Sequence, residues 1–149
     1  MRARDPDRDG FADHHGTRVF YEVYGAGEPT LVLVASNPIV DSRQWKAQVP
    51  YLSRHYRVVT FDGRGNGRSD RSVAPAAYTE QAYLGELAAV LEATGSDRVV
   101  LVGLCHDGVW RSLRFAADHP GRAGGRHRRH LGRGAADRPT PRLQGRGPL

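Results

Sequence analysis

Three short runs rich in β-branched residues constrain the fold more than anything else in the chain: TLVLVA at residues 30–35, RVVTF at 57–61 and RVVLV at 98–102. None alternates apolar with polar, so each reads as a strand covered on both faces. Between them lie stretches of helical spacing. Residues 41–56 place Trp45, Val49, Leu52 and Tyr56 on one face behind a capping Asp41 or Ser42, with Pro50 as the discordant residue. Thr79 caps a stronger helix that carries Tyr83, Leu84, Leu87, Val90 and Leu91 and closes at Gly95. Residues 107–118 return to helical spacing through Val109, Leu113 and Ala116. Strands that alternate with helices pair in parallel through right-handed crossovers, which predicts a three-layer α/β fold with a mostly parallel sheet. Upstream, RVFYEVY at 18–24 and a turn at 25–29 predict a hairpin with the strand at 30–35.

The two ends of the chain are of a different kind. Residues 1–16 mix charges, Gly and Pro without periodicity and are expected to be a mobile leader. Residues 121–149 hold eight arginines against Asp137, a net of +7, which leaves residues 1–120 at −1 of the +6 total. The high pI of 10.1 therefore belongs to a tail, and no basic face for specific nucleic-acid recognition is expected on the folded body. The tail offers only Leu131, Leu143 and Leu149 as large apolar residues, too few to offset an ordering cost of about 1–2 kcal/mol per residue, so disorder is expected there. The chain has 21 arginines and a single lysine, Lys46, a bias that GC-rich codons produce. Out-of-frame translation and a genuine extension both account for the tail.

Cys105 is the only cysteine, which excludes an intrachain disulfide and a multi-cysteine zinc site. His127 and His130 sit among arginines with no carboxylate beside them, and no metal or other cofactor is expected. Gly63, Gly65 and Gly67 imitate a dinucleotide loop, but loop sequence follows them where that fingerprint requires a helix. No stretch reaches the ~20 apolar residues of a membrane span, and nothing near Met1 has the form of a signal peptide; a cytoplasmic location is expected.

The chemistry concentrates in LVGLCHDG at residues 101–108, where a buried strand runs through a glycine-flanked Cys105 directly into a helix. Such a context gives a nucleophile elbow its meaning, since the sharp turn lifts the side chain above the sheet and demands small neighbours. Gly103 meets that demand; Asp107 stands where a glycine is usual, and Gly108 comes one residue late. A thiol at a helix N-terminus is favoured as the thiolate by the dipole and nearby N–H groups, whereas the Asp107 carboxylate opposes it. The plain alternative is that Cys105 is a small buried apolar residue. His106 and Asp107 do not complete a triad with it, because sequence neighbours around a turn project in different directions.

Together with DGRGNGRS at residues 62–69, similar to the D-x-R-G-x-G-x-S segment of that family, and with Trp45, this elbow resembles the α/β-hydrolase superfamily over residues 17–120. The resemblance implies a partial hydrolase domain whose sheet is incomplete at the C-terminal side. It also implies hydrolysis of an ester, lactone or related acyl substrate through a covalent intermediate on Cys105, a cysteine nucleophile being known in the dienelactone-hydrolase branch. The His106 N–H would serve the oxyanion hole. Pro38 has no N–H to give, so the second donor falls to the Asn37 side-chain amide or to Ile39; an ordinary turn at 36–38 is the alternative. The family's acid and histidine follow later strands, which this sequence lacks, so the chain alone is expected to be inactive. A non-catalytic fragment with salt-sensitive, sequence-blind affinity for nucleic acid through its tail is the competing reading. An uncovered apolar strand at 98–102 would also favour aggregation or chaperone association.

Overall fold

The computed structural model describes residues 4–34, 36 and 39–123. Its strands are β1 (Arg8–His14), β2 (Thr17–Tyr24), β3 (Thr30–Leu33), β4 (Arg57–Phe61) and β5 (Val99–Val102), in the sheet order β1-β2-β4-β3-β5. The three apolar runs form its parallel centre: β3 lies between β4 and β5, with Val32 opposite both Val59 and Leu101. Alternation within these runs feeds two cores. Val32, Val34, Val59 and Phe61 face the helices α2 (Glu80–Ala93) and α3 (Cys105–Asp118), while Leu33 and Val58 face Trp45 and Val49 on the other side. Both sheet faces are thus covered, as parallel strands require.

Four expectations need correction. Residues 8–14 are not a mobile leader but strand β1, antiparallel to β2 with Phe11 opposite Phe20. Only Ala12 of β1 is buried, so an edge strand of this kind carries no apolar run. The connection between the two strands turns through His15 (φ 51°) and Gly16 (φ 80°), where the Asp13 carboxylate accepts from the Gly16 N–H at 3.2 Å. The predicted hairpin between 18–24 and 30–35 does not form, because β4 inserts between β2 and β3. Residues 25–27 run tight against the entry to β4: a Cβ on Gly27 would lie 1.9 Å from the His55 carbonyl oxygen, and the Gly27 carbonyl accepts from Arg57 N–H at 2.7 Å.

The helix expected over 41–56 divides into a 3₁₀ turn (Ser42–Trp45), capped by Asp41, and the short α1 (Val49–Leu52) with Pro50 in its first turn. Proline tolerates only that position, so it starts a helix here instead of lying inside one. Finally, α3 buries Gly108, Arg111 and Phe115, whereas the predicted core residues Val109 and Leu113 are 45% and 63% exposed. The apolar periodicity points to the wrong face because a buried arginine occupies the right one.

At the outer edge of β5, among the described residues, a single parallel bridge joins Val99 to Ala123, closed by the Val99 N–H to the Arg122 carbonyl at 2.9 Å. No helix among the described residues is long and apolar enough to cross a membrane.

Candidate active site

Strand β5 delivers the chain through Gly103 and Leu104 to Cys105, the first residue of α3. Cys105 has φ 59°, a left-handed conformation that costs a non-glycine residue about 1–2 kcal/mol and is held only where the surroundings impose it. Gly103 supplies that imposition, since a Cβ there would lie 2.3 Å from the Gly108 carbonyl oxygen. Position 108, not 107, is therefore the residue against whose backbone the turn closes, whereas a Cβ on Gly108 itself would meet Gly103 Cα at an ordinary 3.4 Å. Asp107 is displaced outward, with its carboxylate 3.1 Å from His106 Nδ1 and 4.0 Å from Arg111 Nη2. The Cys105 thiol is free and exposed. The His106 side chain is 89% exposed and bonds Asp107, and among the described residues no histidine hydrogen-bonds the sulfur.

The loop over 62–69 is built as a polar clamp. Asp62 accepts from the Ser42 N–H at 2.8 Å and from the Arg68 N–H at 2.9 Å, so one buried carboxylate joins the segments that follow β3 and β4. Gly67 (φ 49°) makes this fit, because a Cβ there would sit 2.0 Å from Asp62 Oδ2. The Ser69 hydroxyl donates to the Asp62 carbonyl at 2.6 Å and accepts from the Phe20 N–H at 2.8 Å. Arg64 Nε bonds the carboxylate of Glu86 on α2, which has no solvent exposure. Burial pushes the Glu86 carboxyl above its usual range, against the downward pull of its bonds from Arg64.

Arg111 on α3 is nearly as buried, and its Nη1 donates to the Ser36 carbonyl at 3.2 Å. Its guanidinium lies 3.9 Å from the centre of the Tyr83 ring, and Nη2 reaches Glu80 Oε1 at 3.4 Å. Sequence reasoning missed Glu86 and Arg111. The available signal was positional: Glu86 falls beside Leu87, three residues from Tyr83, within the stripe that faces the sheet.

Of the predicted oxyanion donors, Ile39 is 85% exposed, and Asn37 lies outside the described residues. His127, His130 and the rest of the tail beyond Ala123 lie outside them as well. His119 ends α3 in an exposed position, its ring 4.4 Å from Phe115. No group of three metal-binding side chains occurs among the described residues. A cleft of 420 Å³ opens between β2 and the loops after β3 and β4, lined by Phe20, Glu22, Asp41, Arg43, Asp62 and Arg68; Cys105 does not line it.

A mixed sheet with a parallel centre, helices on both faces and an exposed residue in a strand-to-helix turn defines an α/β protein of the hydrolase type. The family model described as alpha/beta hydrolase fold matches residues 18–122, and the chain belongs to that family. It is 37% identical over 99 residues to 2-hydroxy-6-oxo-2,4-heptadienoate hydrolase of Pseudomonas putida, covering 66% of this chain and 35% of that one. It is 37% identical over 83 residues to epoxide hydrolase B of Mycobacterium tuberculosis, covering 54% and 23%. A solved structure of Est816, described as an N-acyl homoserine lactone degrading enzyme, superposes with TM-score 0.67 at 28% identity, covering 76% of this chain and 42% of that one. The chain spans about a third to two fifths of the length of the curated hydrolases first matched.

Proposed function

We propose that Cys105 is the nucleophile of an acyl hydrolase acting on small esters or lactones. The observation that carries this reading is its left-handed backbone at the junction of β5 and α3, a strained conformation that leaves the thiol exposed. In the reaction the thiolate attacks the carbonyl carbon, a C–S bond forms, and the alcohol leaves with the electron pair of its C–O bond. The His106 N–H, with the Ile39 N–H or the Asn37 amide, would take the charge developing on the carbonyl oxygen. Release of the acyl group needs a general base, which the family places after later strands and which no described residue supplies beside Cys105. The lactone named for Est816 and the dienoate named for the Pseudomonas hydrolase are consistent with a small-molecule substrate.

The expected outcome with 4-nitrophenyl acetate is one equivalent of nitrophenolate without sustained turnover, and a thioester located at Cys105 by mass spectrometry. Unchanged release by Cys105→Ala, or sustained turnover that this substitution abolishes, would contradict respectively the nucleophile and the missing base.

A further inference from the structure

We infer that Arg111 is a positioning residue, holding the segment that leaves β3 against the start of α3 and thereby setting acyl-transfer geometry at Cys105. The inference rests on the reading of Cys105 as nucleophile. Arg111 lies two turns into the helix that Cys105 begins, on its buried face. Its bond to the Ser36 carbonyl joins α3 to the segment between β3 and the 3₁₀ turn, which includes Ile39. Two further features continue the connection. A Cβ added to Gly108 would lie 3.5 Å from Ser36 Cα, so α3 and this segment pass close together at the glycine, and the Ser36 hydroxyl donates to Gln44 Oε1 at 2.9 Å. From the other side, the Tyr83 ring and Glu80 hold the guanidinium in place.

A buried guanidinium carries a desolvation penalty that an aliphatic side chain of similar length avoids, so its bonds have to justify its place. The bond to Ser36 fixes the backbone three residues from Ile39, one proposed oxyanion donor, and Arg111 makes it from the helix that carries His106, the other. Acylation develops charge on a carbonyl oxygen and depends on those donors; alkylation of the same sulfur by iodoacetamide does not. The two reactions therefore separate a role in donor placement from a general effect on the thiol.

The test compares the full chain with Arg111→Met and Arg111→Lys. Rate constants for acylation by 4-nitrophenyl acetate and alkylation by iodoacetamide are taken at the alkaline plateaus of their pH profiles, where thiol ionisation no longer contributes. Arg111→Met should lower acylation relative to alkylation by about tenfold or more, a displaced donor costing less than the roughly 10²–10³-fold of a lost one, and Arg111→Lys should recover part of it. An unchanged ratio, or an equal fall in both reactions, would overturn the role. Amide exchange gives a second readout independent of the cysteine: Arg111→Met should accelerate exchange at residues 40–45 and leave β2, which Arg111 does not contact, unchanged. Unaltered exchange there would refute the anchoring. A wild-type protein that is alkylated but never acylated at Cys105, with exchange at 40–45 still accelerated by Arg111→Met, would refute the nucleophile and the acyl-transfer role while retaining the anchor.

Discussion

Arg64 and Glu86 form an ion pair almost wholly out of water, and its cost is set by what remains when one partner is lost. Replacing Glu86 by Gln leaves a buried guanidinium facing a neutral amide, and should destabilise the fold by about 3 kcal/mol in urea titrations. The double replacement Arg64→Leu with Glu86→Leu should recover much of that loss, because no charge is then stranded. If the single substitution were silent, the pair would not be what ties the loop after β4 to α2. The same residues show where sequence reading stops. Cys105 and the residue types of the 62–69 loop are legible because a glycine-flanked turn and a spaced series of small and polar residues leave a local trace. Arg111 leaves none and Glu86 only its position within the apolar stripe, since a charge on an amphipathic helix is ordinarily assigned to the solvent face and tertiary packing reverses that assignment.

Among the elements, β1 is held by its contact with α2, where the His14 ring lies so close to Gly85 that a Cβ on that glycine would be 2.1 Å from it. Burial, followed by the positive charges of His15 and Arg64, holds His14 below its ordinary pKa. The unfolded chain then binds a proton before the folded one does, so this contribution is intact above about pH 6.5 and is lost as pH falls toward the folded value. Urea titrations across that window should show stability declining with acid, and His14→Gln should flatten the decline. An unaltered slope would remove His14 as its source. The central strands were readable because their burial is written continuously in the sequence. β1 was not, because its stability comes from pairing and from this one helix contact, neither of which leaves an apolar pattern.

For the molecule as a whole, Leu104, Val109, Trp110 and Leu113 are exposed on or beside α3, at the same end of the sheet order as the length of β5 that no other described residue pairs. An apolar helix face beside a strand edge invites self-association. The chain is expected to sediment as oligomers at micromolar concentration and to bind the dye ANS. Trp110→Lys combined with Leu113→Glu should shift it toward monomer and reduce dye binding. A wild-type monomer with a sharp cooperative melt would contradict the expectation. Sequence periodicity had placed Val109 and Leu113 in the core, and their exposure is the tertiary counterpart of the buried Arg111 on the opposite side of the helix.

The single rung that the described residues place between Val99 and Ala123 gives this boundary a polarity. A newcomer laid alongside in the same sense as β5 could extend what is already begun, whereas one arriving head to tail would first have to dislodge the Arg122 carbonyl from its place.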